Sequence, residues 1–71
     1  MDREDILDQA RFQASRHWAK GDLPKAVAEF VGQCRLMGLD PPLHHANITE
    51  GILLAEKGDI DAVHAWLTRK Q

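Results

Sequence analysis

The chain has no tyrosine, a single cysteine, a single serine and no uninterrupted apolar run longer than residues 52–55. With Cys34 alone, no disulfide can close within the chain, and a lone cysteine fits a reducing compartment. Cys34 falls on an apolar stripe, so it reads as a small core residue and not as an activated nucleophile. The longest apolar run is far short of the roughly 20 residues that cross a bilayer. Residues 1–5 are charged, with no apolar run behind them, so no secretory leader is expected and the expected location is the cytoplasm. No nucleophile elbow surrounds Ser15, and there is no glycine-rich phosphate loop, Cys-x-x-Cys pair or His-Glu-x-x-His run. The reading is therefore non-enzymatic, with no cofactor and no metal.

Charge of one sign is also scarce. The 71 residues carry 9 Lys and Arg against 11 Asp and Glu, a net charge of −2. Neutralising phosphates needs a basic face, so a nucleic-acid partner is disfavoured. Four histidines do not change the metal reading. His44 and His45 are adjacent and would point about 100° apart on a helix, which suits surface positions in a first turn. His17 falls on an apolar face beside Trp18 and reads as an interior or boundary residue. His64 lies near the other end of the chain. Asp59 and Asp61 read as capping and dipole residues at a helix start. With two phenylalanines and no tyrosine, the core must be aliphatic, completed by Trp18 and Trp66.

What the chain does have is a pair of matching turns. Lys20, Gly21, Asp22 and Leu23 are echoed by Lys57, Gly58, Asp59 and Ile60. In each, glycine can end one helix in the left-handed conformation and aspartate can cap the next. The pattern predicts an all-α domain over residues 1–71, with helices near 3–20, 23–37, 41–57 and 60–69. These group into two stacked antiparallel hairpins, units 1–39 and 40–71. Asp2 caps the first helix, and its stripe is Ile6, Leu7, Ala10, Ala14, His17 and Trp18, with Phe12 on the opposite side. Pro24 opens the second helix at a position where a missing N–H costs little. Its stripe of Leu23, Ala26, Val27, Phe30, Val31, Cys34 and Met37 faces a core. Gly38 closes this helix, with Leu39 placed for the apolar contact that accompanies a glycine cap. Asp40 and Pro41 are read as cap and first residue of the third helix. That helix is apolar on more than one face and is expected to be central, packed on two sides. Gly51 weakens it by about 1 kcal/mol relative to alanine, so a close approach by a neighbouring helix is expected there. The fourth helix presents Ile60, Val63, His64 and Leu67, with Trp66 to one side. No stretch alternates with period two, so no strand is expected.

Gly21 and Gly58 lie 37 residues apart, in the range of helical-hairpin repeats. Superposing the halves pairs Leu23 with Ile60, Ala26 with Val63, Phe30 with Leu67 and Ala14 with Gly51. This resembles the tetratricopeptide repeat family. Ala14 and Gly51 match its small residue seven before the turn glycine. Ala26, and less closely Val63, matches the alanine five after it, and Phe30 and Leu67 match the large apolar residue nine after. The family's early aromatic is replaced by Ala10 and Asn47, and its late tyrosine by His17 and Leu54. A weaker resemblance, in Gly38, Leu39, Asp40 and Pro41, is to the end of a pentatricopeptide unit, a family that binds single-stranded RNA.

The tetratricopeptide resemblance implies a protein-binding module in which the first helix of each unit lines a concave face. Carried over, that face comprises Asp8, Arg11, Phe12 and Ser15 with His45, Ile48, Thr49, Ile52 and Glu56. Phe12, Ile48 and Ile52 form an apolar floor, and Arg11, His45 and Glu56 orient a peptide or helix of another protein. Three alternatives stay open. Ile48 and Ile52 are core residues in the first. In the second, the chain is an obligate homo-oligomer burying the outer faces of the third and fourth helices with Trp66. In the third, a minor one, it is a helical repeat that binds nucleic acid.

Overall fold

The computed structural model describes residues 1–69, and among these every regular element is helical. The four helices are α1 (Arg3–Ala19), α2 (Leu23–Leu36), α3 (His45–Lys57) and α4 (Ile60–Thr68). Aspartate opens three of them as expected. The carboxylates of Asp2, Asp22 and Asp59 accept the backbone N–H of Asp5, Lys25 and Ala62 at 2.9, 3.2 and 3.0 Å. The turns after α1 and α2 are double-bonded glycine caps. Asp22 N–H donates to the His17 carbonyl at 3.0 Å, and Leu39 N–H to that of Cys34 at 2.9 Å. Gly21 and Gly38 supply the positive φ, 78° and 71°, that these caps require. Leu39 is buried, making the apolar contact that its position after Gly38 predicted.

The third helix starts four residues later than its proline signal suggested, and Asp40 does not cap it. Pro41 itself precedes a proline, which disfavours helical backbone at Pro41. The Asp40–Pro41 bond is cis, and the chain stays non-helical through His44. His44 is the cap instead, its Nδ1 accepting the Ala46 N–H at 3.2 Å. An Arg3 guanidinium N–H donates to the Pro41 carbonyl, tying this linker to the start of α1.

Packing differs from a simple stack. α2 touches all three other helices, and α4 packs against α1, α2 and α3, but α1 and α3 do not touch. The core is Ile6, Leu7, Ala10 and Ala14 of α1, Leu23, Ala26, Val27, Phe30 and Cys34 of α2, Leu39, Ala55, and Val63, Trp66 and Leu67 of α4. The central helix is therefore α2, not α3. Of α3 only Gly51 and Ala55 are buried, and Ile52 and Leu53 face solvent. α3 does pack on two helices, α2 and α4, but Ile52 and Leu53 of its apolar surplus lie on an open face.

Trp66 is the second correction. It is not a surface contact for another subunit: its exposure is 0%. Its ring meets Phe30 edge-on, centroids 5.3 Å apart. Its Nε1–H donates to both the backbone carbonyl and the Oδ1 of Asn47, at 3.0 and 2.9 Å. One side chain thus joins α4 to α2 and α3. Trp18 does the same between α1 and α4, donating to the Ile60 carbonyl at 2.9 Å with its ring 4.9 Å from that of His64.

Candidate functional site

Because α1 and α3 are not neighbours, the nine residues expected on one concave face do not come together: seven fall into two separate hollows and two line neither. Asp8, Arg11, Phe12 and Ser15 line a hollow of about 250 Å³ between α1 and α4, completed by Trp18, His64, Leu67 and Thr68. Ile48, Ile52 and Glu56 line a hollow of about 440 Å³ between α2 and α3. His45 and Thr49 line neither; both are exposed, and the Thr49 hydroxyl donates to the His45 carbonyl at 3.1 Å. An apolar floor shared by Phe12, Ile48 and Ile52 does not exist.

In the α1–α4 hollow, Arg11 is committed within the chain. Its Nε–H donates to the Leu67 carbonyl at 2.8 Å, one Nη to the Arg69 carbonyl at 3.0 Å and the other to Asp8 at 3.0 Å. The last carbonyls of a helix have no partner within it. The guanidinium, a rigid fork of five donors, therefore closes the end of α4. A few residues away, Arg69 grips Glu50 with two parallel bonds of 2.6 and 2.8 Å. Those bonds hold the Glu50 carboxyl below the usual carboxylate range and raise the Arg69 guanidinium above its own. The Ser15 hydroxyl is turned back onto the Phe12 carbonyl at 2.8 Å. What remains free on this side is Phe12, 65% exposed.

The α2–α3 hollow has a different character. Its α2 wall is Pro24, Val27, Ala28, Val31, Gly32 and Arg35, and its α3 wall is Ile48, Ile52, Ala55 and Glu56. At the Arg35 end it continues into a second hollow of about 280 Å³, which adds Cys34, Gly38, Leu39, Pro42 and Leu43. The two share Val31, Arg35 and Ile48 and so form one apolar groove along antiparallel helices. Charge enters the larger hollow only through Arg35 and Glu56, near opposite ends. Burial pushes the Cys34 thiol up, against the smaller opposing pull of the Arg11 and Arg3 charges, so it is a neutral part of the groove's floor.

Sequence reasoning placed three of the ten residues lining the larger hollow in a partner site and missed the α2 wall. The overlooked signal is Ala28 and Gly32, one helical turn apart, beside the clean core stripe of α2. Gly51 had a reason to be small that lies inside the fold. Gly32 has none, since a Cβ built there meets nothing within 4 Å.

Among the described residues, no group of three or more His, Cys, Asp or Glu side chains could hold a metal ion. No helix among the described residues is long and apolar enough to cross a membrane. Comparison with protein families, with curated proteins and with solved structures finds no match to this chain.

Proposed function

We propose that the chain is a small non-enzymatic interaction module whose α2–α3 groove receives a helix or peptide of a protein partner. The observation that carries the reading is Ile52. It is 46% exposed at the middle of the α3 wall, opposite an α2 wall kept low by Ala28 and Gly32. An amphipathic helix laid in such a groove buries its apolar face against the walls. The lining supports binding over catalysis, because its only charged groups, Arg35 and Glu56, lie near opposite ends and cannot act on one bond. A reducing, cytoplasmic setting fits the lone buried cysteine.

Kinship with tetratricopeptide-type hairpins belongs to the same proposal. In its favour are the two glycine turns and the small residues at Ala14 and Gly51, both buried. Against a superhelical stack is the missing contact between α1 and α3. The kinship is therefore proposed for the hairpin units and not for their assembly.

Affinity capture from native cells with wild type, Ile52→Asp and Phe12→Asp tests the reading. A protein held by wild type and Phe12→Asp but lost from Ile52→Asp is expected. Loss from Phe12→Asp alone would move the site to the α1–α4 hollow.

A further inference from the structure

We propose that the occupant of the α2–α3 groove is an acidic amphipathic helix of another protein, docked with a carboxylate on the Arg35 guanidinium and an apolar side chain on either side of it. The proposal rests on the groove reading above and adds the chemistry of the partner. Its ground is the place of Arg35. The larger and smaller hollows are both mainly apolar, and Arg35 lines both, so it stands at their junction. Arg3, Arg11 and Arg69 each donate to an acceptor within the chain. No hydrogen bond or ion pair joins the exposed Arg35 side chain to another described residue. Arg16 is also without one, but it lines none of the three hollows. The α2 dipole accounts for a basic residue in the last turn and leaves the five donors of the guanidinium open.

A segment laid along both hollows must cross Arg35. A wholly apolar segment would strip water from the guanidinium without supplying an acceptor, which is costly for a charge. A basic segment would set like charges together. A carboxylate can take two parallel N–H bonds from the fork, the charge-assisted geometry that arginine favours. The occupant is therefore acidic between its two apolar anchors. On a helix this places the anchors about seven residues apart, with an Asp or Glu one turn from each, all on one face. The rest of the groove agrees. No other charged residue lines the smaller hollow. Glu56 is the only carboxylate lining the larger one, and the exposed Lys25 and Lys57 follow Pro24 and Glu56 at that end. Arg35, Lys25 and Lys57 thus outnumber Glu56, in a chain whose net charge is −2. Glu29 accepts the Gln33 amide at 3.2 Å and lines neither hollow. A nucleic acid fits less well, because a phosphate backbone asks for a row of cations, whereas here one guanidinium lies between two apolar hollows.

Selection from a displayed library of random peptides of about 15 residues, roughly four helical turns, tests the proposal. The baits are wild type, Arg35→Gln, Arg35→Glu and Ile52→Asp. Wild type is expected to enrich peptides with Asp or Glu between two apolar residues. A synthetic copy of an enriched peptide should bind Arg35→Gln about tenfold more weakly. Arg35→Glu should enrich peptides with Lys or Arg at the same position, an exchange that a purely structural role for Arg35 would not produce. Arg35 has no partner in the chain to lose, so both variants should keep the far-UV helical signal. Enriched peptides without an acidic preference, or a loss of less than about twofold in Arg35→Gln, overturn the proposal. If those peptides are still lost from Ile52→Asp, the groove reading stands with an occupant of other chemistry. Peptides that bind Ile52→Asp as well as wild type overturn both readings, as does a selection that enriches nothing. Salt-dependent binding of a single-stranded RNA that Arg35→Gln abolishes, with no peptide enriched, overturns both in favour of a phosphate ligand.

Discussion

Trp66 occupies the space where a side chain on Gly51 would begin. A Cβ built on Gly51 would lie 2.5 Å from Cζ2 and 2.6 Å from Cε2 of the indole. The ring is held there by Asn47 on one side and Phe30 on another, so it cannot swing away. Gly51→Ala is therefore expected to destabilise the fold by about 1–3 kcal/mol, the range for overpacking a close-packed site. This outweighs the helix-propensity gain of roughly 1 kcal/mol. Gly32→Ala makes the same chemical change in open space and should stabilise by about 0.5–1 kcal/mol. Urea titrations of the two variants should move in opposite directions.

Arg11 is expected to behave as a structural residue. Arg11→Ala leaves the Leu67 and Arg69 carbonyls without their charged donor and should cost about 1–3 kcal/mol. Arg11→Lys should recover little of this, because one ammonium cannot reproduce a planar fork reaching two carbonyls and a carboxylate. Hydrogen exchange of the α4 amides is the sharper measurement, with faster exchange expected toward Thr68. Unchanged exchange would return Arg11 to the candidates for partner contact.

The Glu50–Arg69 pair makes a prediction about acid. Arg69 depresses the folded-state pKa of Glu50, and the unfolded chain keeps the ordinary value. Above the ordinary carboxylate range Glu50 is ionised in both states, and the pair's full contribution is present. As pH falls, the unfolded chain takes up its proton first, so stability declines. Once pH passes below the folded pKa, the contribution is gone. Glu50→Gln should be less stable than wild type at neutral pH, with the gap closing in acid. A gap that does not depend on pH would show that the two bonds matter only through their geometry.

Cys34 should be unreactive in the folded chain. It is 2% exposed, and burial keeps the thiol protonated, whereas the thiolate is the attacking species. Iodoacetamide at mildly alkaline pH should label it slowly, with full labelling in denaturant. Rapid labelling of the native chain would mean that the floor of the groove between Val31 and Leu39 opens without global unfolding.

Local features of this fold were legible in the residues because they depend on neighbours in the chain. Three aspartate caps, the glycine turns and the stripe of α2 follow from backbone sterics and helical spacing. The start of α3 was misplaced because the proline that suits a first turn at Pro41 is followed by Pro42, which disfavours helical backbone there. The candidate site was half legible. Ile48, Ile52 and Glu56 do line a groove, but the α2 wall opposite them could not be assigned while α2 read only as a core stripe. Phe12 and Arg11 were assigned to the same face because hairpin repeats place first helices side by side, and here they are not.

By itself the sequence determined four helices, their turns and a core-facing stripe on α2, since each is set by interactions within a few residues. Tertiary structure decided the rest. Trp66 turns inward because Gly51 leaves room for its ring and Asn47 supplies an acceptor, both from another helix. That one insertion draws α4 against α2 and α3 and puts α4, not α3, beside α1. It also leaves Ile52 on an open face. Burial depends on which surfaces meet, and no spacing along the chain encodes that meeting directly.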